Sequence, residues 1–491
     1  MSSIPYKLKI DAKNILKFTF HDISKKLLGD VLDEHFDFFN PTKYINSTIN
    51  LMDKFKEVII KTLEKSIPKI DELFLNSRYR KFYFYKSNVQ KRSITTIFGD
   101  LNFERIYYTN KDKQNGFYFI DELFGFEKYT TYDPIVRALL IDSSVTTNAN
   151  LSSSKTSLIL NNYKDYMDKN YFKNISRQTI YNWEKEWNVP KVEYPYYEGN
   201  KKLYVMVDEK WIHEQIRLSL LNDEEKKKHH YIMTKCFVAF TGAITKNKRT
   251  KLLNRHVFMT TSDKPWKEFI DEIYNIYNFE EIEEIYLLSD AGTWILAGKD
   301  ELKLNKNNKV IVNICEFHVK EYINRLVRSQ DKRDELIKAI YDEKDKNKFT
   351  ELVNQIINNV TDEKKKEKKE KYKNYVLNHW EGILNMKDRE IRSSMESHIS
   401  HCVAATFGSR PKGYSKKLIQ KYIKLEEYKQ NGINIMDLYL CSYNLNDNID
   451  FVYNQKEVSL SSFERKTSSN IPVKSTTNPI GNLLGKIAYG Y

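Results

Sequence analysis

The feature that most constrains this chain is a change of hydrophobic period near residue 200. Before it, apolar residues recur every three or four positions, as in Leu51, Phe55, Ile59, Leu63 and Ile67, which is the spacing of one helix face. After it come unbroken apolar runs: LYVMV (203–207), YIMTKCFVAF (231–240), LLNRHVFM (252–259), EIYLLS (284–289) and VIVNI (310–314). Runs this short and this apolar read as strands. The first three follow one another, with the charged loop LNDEEKKKHH between the first two. The last two alternate with helices expected at about 263–278, between the strands, and from near Glu316 onward. Three strands and then helix–strand alternation predict an α/β core, a mixed sheet covered by helices on both faces.

The flanks divide around this core. Residues 1–90 read as a helical N-terminal region, and 91–130 as a small β element in which ITTIFGDLNFERIYY (94–108) makes a hairpin joined at Gly99-Asp100. RYRKFYFYKS (78–87) interleaves basic and aromatic residues, a pattern that suits either an ordinary strand or stacking on nucleotides. In 131–188, Ser176 is a good N-cap for a short helix exposing Arg177, Gln178, Tyr181 and Asn182. With a second helix expected at 152–165, this region resembles a helix-turn-helix whose reading helix contacts DNA, plain helix packing being the alternative. VPKVEYPYYEGNK (189–201) reads as a linker. The core's first part spans 202–329, an all-helical insertion rich in charge spans 330–387, a last core helix with a basic turn spans 388–425, and 426–491 is a C-terminal region and tail.

Composition narrows the partners. The 80 Lys and Arg outnumber the 66 Asp and Glu, a net charge of +14, which favours a polyanion such as nucleic acid. The crowding of Lys, Asn, Ile and Tyr is also what an AT-rich genome imposes, so charge alone does not decide the matter. Cys236, Cys315, Cys402 and Cys441 are widely spaced and form no close disulfide framework, which fits a reducing cytoplasm. No apolar stretch approaches the length of a membrane span, so neither export nor membrane insertion is expected.

Asp208 directly follows LYVMV and Asp290 directly follows EIYLLS, each at the end of a buried strand, where open sheets present their binding crevice. Glu396 falls at the edge of the apolar stripe Ile391, Met395, Ile399 and Cys402, beside Val403. Cleaving or joining a phosphodiester needs an aligned nucleophile and a sink for charge on the leaving oxygen. Two divalent cations about 4 Å apart, held by carboxylates, supply both. Glu209 points to the opposite face if the strand continues and is a weaker ligand candidate. Cys315-x-x-His318 and His398-x-x-His401 together contain four zinc-type ligands but lack the compact spacing of a finger.

The blocks VMVDEKW (205–211), LLSDAGTWI (287–295), ICEFHV (314–319) and ESHISHCVAATFGSRPKGYS (396–415) resemble those of bacterial insertion-sequence transposases of the ISLre group, a DDE-type family. FGDLNFERIYY (98–108) and ISRQTIYNWEKE (175–186) extend the resemblance over most of residues 95–415. It implies a ribonuclease H-like core, interrupted by a helical insertion, that cuts and rejoins DNA with two Mg²⁺ ions, Mn²⁺ being a substitute. Asp208 matches the first aspartate, Asp290 the second and Glu396 the glutamate. Cys315 and His318 resemble a Cys-x-x-His signature, which puts His318 near the scissile region. In SRPKGYS (409–415), Arg410 and Lys412 suit DNA phosphates beside the metals, or simply a solvated helix stop.

The expected function is therefore a transposase that binds its element's ends, cleaves and transfers strands, works as a homodimer or higher oligomer on DNA, and resides in the bacterial cytoplasm at the nucleoid. The alternatives are a ribonuclease H-like nuclease without strand transfer and a non-catalytic DNA-binding protein, either a repressor or a decayed transposase.

Overall fold

The computed structural model describes residues 6–34, 41–111, 115–146, 175–214, 216, 230–246, 249–387, 403, 407 and 414–444. They form two compact units, residues 6–188 with 436–444, and residues 189–435. Among the described residues no helix is long and apolar enough to cross a membrane.

In the first unit, helices Tyr6–Glu34 and Pro41–Asn76 pack together, and the second covers a three-stranded antiparallel sheet, β1 (Phe84–Thr96), β2 (Gly99–Asn110) and β3 (Gly116–Tyr118). Its core joins Ile67, Ile70 and Phe74 to Leu101, Phe103, Tyr108 and Phe119. Of the helical stripe read in sequence, Ile67 is fully buried while Phe55 is 46% exposed, because the sheet covers only the C-terminal half of that helix. Asp71 is buried in this interface. Its carboxylate accepts the Ile106 N–H at 2.7 Å and the Tyr108 hydroxyl at 3.0 Å, and burial, opposed by those bonds, pushes its pKa up to about 6.

RYRKFYFYKS does not start as a strand: residues Arg78–Tyr83 form a helix, because the Ser77 hydroxyl caps it by accepting the Arg80 N–H at 3.1 Å. The β1–β2 hairpin turns at Ile97-Phe98 rather than at Gly99-Asp100, since Thr96 pairs with Gly99. The Thr96 hydroxyl accepts from Phe98 N–H and donates to the Gly99 carbonyl. Gly99 has φ +133°, a conformation open to glycine and strained for other residues.

The second unit is built on a five-stranded sheet of order β10-β9-β4-β5-β8, formed by β4 (Lys202–His213), β5 (Tyr231–Phe240), β8 (His256–Thr260), β9 (Glu284–Ser289) and β10 (Lys309–Ile314). Strands β4, β5 and β8 are antiparallel neighbours, and β9 and β10 run parallel to β4 on its other side. LLNRHVFM is not one strand. Asn254, at φ +46°, breaks it, so β7 (Arg249–Leu253) pairs with β6 (Gly242–Lys246) in a separate hairpin before β8 begins. Alternation along the strands fills two cores. Leu203, Val205, Val207, Phe237 and Leu287 pack with helix Pro265–Ile273 on one face. Tyr204, Met206, Cys236, Val238 and Leu288 pack with Val403, Ile419 and Ile423 on the other.

Residues 189–201, read as a linker, lie along the first of these faces: Tyr194 and Tyr197 pack on the core, and the Tyr197 N–H donates to the Ile276 carbonyl at 2.7 Å. The outer edge of β8 is closed by side chains from the helix Lys416–Gln430 and the residue after it. Asn431 accepts the Val257 N–H at 2.7 Å and donates to its carbonyl at 2.8 Å, and Glu427 accepts the Met259 N–H at 3.0 Å. These bonds satisfy groups that an open edge strand would leave for another chain to pair with. Beyond β10, helices Glu316–Leu326, Gln330–Tyr341, Lys346–Asn358, Glu363–Asn378 and Trp380–Lys387 form a third core around Val319, Ile323, Phe349 and Val376.

Candidate active site

Residues 203–207 of β4 are all buried. Tyr204 and Met206 face the core that contains Val403 and Ile419, and Asp208 continues that face. On β9, Tyr286 and Leu288 face the same core, and Asp290 follows just past the strand end. Met206 pairs with Leu288 in parallel register. Asp208 and Asp290 each lie two residues beyond that pair, but Asp208 does not end its strand as the sequence suggests: β4 runs on to His213, paired with β5 alone, whereas Asp290 follows the end of β9. Cys315 extends the row: Ile314 pairs with Ser289, and the Cys315 N–H donates to the Ser289 carbonyl at 2.8 Å.

The turn after β9 is shaped around Asp290. Its Oδ1 accepts the Gly292 N–H at 3.0 Å, and the Ser289 hydroxyl accepts the Ala291 N–H at 3.1 Å. This winding puts Ala291 at φ +69°, a left-handed conformation costing a residue with a Cβ about 1 kcal/mol or more. The Tyr375 hydroxyl donates to the Asp290 carbonyl at 2.7 Å and its ring stacks on Tyr322, 4.1 Å between centroids. The helical insertion thus braces the aspartate's backbone. Asp208 Oδ1 accepts the Glu209 N–H at 2.7 Å. The Glu209 side chain leaves on the other face, where it accepts the indole N–H of Trp294.

Helix Glu316–Leu326 starts from Cys315 as its N-cap, so His318 stands in its first turn. A hydrogen bond with Cys315 raises the imidazole pKa above its ordinary value. Burial opposes the rise, and the negative charges of Cys315, Asp290 and Asp208 add to it. Both aspartates therefore act on one ring. Burial pushes the Cys315 thiol up, but the His318 hydrogen bond, the N–H groups of Phe317 and His318, and the His318 charge outweigh it and hold it low.

Two aspartate carboxylates are the hard donors that a divalent cation such as Mg²⁺ takes. Among the described residues no group of three His, Cys, Asp or Glu side chains closes a metal site. Glu396, the expected third carboxylate, lies outside the described residues, as do His398, His401, Arg410 and Lys412. Val403, seven residues after Glu396, is described, and it is buried in the core with Tyr204, Met206 and Leu288.

Of the expected DNA-reading residues, the helix Arg177–Glu186 has Ser176 as its cap, the hydroxyl accepting the Thr179 N–H at 3.1 Å. Gln178 and Asn182 are exposed and bonded to each other at 2.9 Å, and Tyr181 is half-buried. The side chain of Arg177 and the expected helix at 152–165 lie outside the described residues. Ile180 packs with Val136, Leu139 and Leu140 of helix Pro134–Thr146. Tyr375 escaped the sequence reading, since it sits just after a charge run that reads as a solvated face.

Comparison with solved structures finds the Drosophila P element transposase strand transfer complex, 14% identical, at a TM-score of 0.20, covering 66% of this chain and 88% of that one. A UPF0236 protein of Caldanaerobacter subterraneus subsp. tengcongensis is 25% identical over 434 residues, covering 87% of this chain and 84% of the relative. A second from the same organism, whose name joins eleven gene designations, is 25% identical over 449 residues, 89% of this chain and 88% of its own length. Residues 42–440 match the model of the uncharacterised protein family UPF0236, and the chain belongs to that family.

Proposed function

We propose that this chain is a DNA transposase of the DDE type with a ribonuclease H-like core, in which Asp208, Asp290 and Glu396 hold two Mg²⁺ ions. One observation carries the reading: Asp208 of β4 and Asp290, just after β9, each lie two residues beyond the Met206–Leu288 pair that joins these adjacent parallel strands. The strand order, three antiparallel neighbours with two parallel strands added beside the first, agrees with the sheet that the sequence resemblance implies. One family member carries eleven gene designations in one name, as a sequence that copies itself within a genome would.

Bound cations would activate water, or a DNA 3′-hydroxyl, and absorb charge on the leaving oxygen. The chain's own task is to hold that geometry. Asp290 is fixed by the Gly292 N–H and by Tyr375 on its backbone, and Asp208 by the buried strand before it. Glu396 would approach from the segment that leads into Val403. His318, in the first turn of the helix after Cys315, would donate a hydrogen bond to a phosphate or leaving oxygen beside the aspartates. Gln178, Tyr181 and Asn182, with Arg177, would read DNA, and Arg410 and Lys412 would contact phosphates. Handling two element ends calls for a homodimer or larger assembly.

The test supplies precut element ends, a target plasmid and Mg²⁺, and follows the labelled ends. Joined products support the transposase. Nicking without joining would replace it with a nuclease, and binding indifferent to Mg²⁺ with no product would replace it with a DNA-binding protein.

A further inference from the structure

The stretch between Glu72 and Asp100 contains no acidic residue but has Arg78, Arg80, Lys81, Lys86, Lys91 and Arg92. Folding sorts these. Arg92 is buried against Asp121, and Arg80 turns back onto the Leu75 carbonyl. Lys91 lies 3.9 Å from Glu104, and Lys86 contributes to the field around Asp71. Arg78 and Lys81 remain exposed on the short helix Arg78–Tyr83.

Beside them the aromatic rings are displayed rather than buried. Phe82 is 68% exposed, and Tyr83 and Tyr85 about half. The Lys111 ammonium lies 5.6 Å from the Phe82 ring and 5.9 Å from the Tyr85 ring, and its backbone N–H donates to the Tyr83 carbonyl at 3.3 Å. β1 is an edge strand, and every residue from Tyr85 to Lys91 is exposed. Large exposed rings are costly in water unless something covers them. Here they stand at a helix-to-strand corner, with Arg78 and Lys81 before them and Lys111 beside them.

We infer that Phe82, Tyr85 and Lys111, with Arg78 and Lys81, form a grip for single-stranded DNA, the rings stacking on unpaired bases and the cations neutralising phosphates. Base faces are open to rings only outside a duplex, and ring stacking with flanking cations is the recognition mode that such a surface fits. The choice of DNA over RNA rests on the proposed transposase reading, in which cut element ends supply unpaired strands.

The test uses the full chain and fluorescent oligothymidylate, with duplex and oligouridylate as competitors. Phe82→Ala and Tyr85→Ala should each weaken binding by about tenfold, with far-ultraviolet circular dichroism unchanged because both rings are exposed. Lys111→Gln should lower the salt slope of log Kd by roughly one. Failure of the parent to bind oligothymidylate, or ring variants binding as the parent does, would overturn the inference. So would ring variants that change the oligomeric mass while keeping the affinity, which would make the patch a self-association surface, and so would oligouridylate displacing the DNA with higher affinity. Ring-independent binding together with Asp208-dependent nicking sinks this inference alone. Ring-dependent binding with no nicking at all sinks the transposase reading alone.

Discussion

The indole of Trp294 donates a hydrogen bond to the carboxylate of Glu209, the residue next to Asp208. Two acidic neighbours on one strand are thereby separated by face: Glu209 is turned toward the core containing Trp294, and Asp208 toward the core containing Val403. Only one of the two is available to the row that includes Asp290.

Glu209→Gln should therefore leave metal-dependent nicking close to the parent rate, because the amide oxygen can still accept from Trp294. A stability loss of about 1 kcal/mol is expected from the weaker acceptor. Urea unfolding and a nicking time course check this pair of outcomes. Loss of nicking with stability intact would make Glu209 part of the site.

His318→Ala should slow nicking by about a hundredfold or more if the imidazole serves as a proton or hydrogen-bond donor, while DNA affinity stays near the parent's. His318→Gln, which keeps a hydrogen-bond donor, should recover part of that loss. Equal, full activity in both variants would reduce His318 to a packing residue at the helix start.

Asp71 gives a pH prediction in the first unit. Its folded pKa, about 6, lies above the ordinary 3.8. The linked stability is thus fully present below about pH 3.8 and is lost as pH rises through 6, amounting to something on the order of 3 kcal/mol. Asp71→Asn cannot ionise, so its stability relative to the parent should improve between pH 4.5 and pH 7. Urea midpoints of the two proteins at those pH values measure it, and a constant difference would mean that Asp71 is not buried as a protonated acid.

The sheet was legible in sequence where apolar runs had clear ends. EIYLLS forms β9 with the same bounds, and LYVMV forms the buried half of β4. LLNRHVFM misled because a left-handed Asn254 looks like any strand residue until its φ is seen. The alternation in RYRKFYFYKS gave way to a helix cap at Ser77. Within the candidate site, Asp290 follows its strand end as the sequence suggested, whereas Asp208 sits in mid-strand because β4 continues past the apolar run to His213. That both aspartates lie two residues beyond one cross-strand pair depends on the Met206–Leu288 register, which no local pattern encodes. Tyr375 was hidden for the same reason, since its bond to Asp290 spans the fold.

The central claim is that Asp208 and Asp290 act together on metal-activated DNA cleavage. Asp208→Asn and Asp290→Asn, assayed with Mg²⁺ and with Mn²⁺ on DNA carrying the element's ends, test it most directly. The account predicts parent-like end binding and no nicking above background for either variant. Nicking at the parent rate by either one would contradict it.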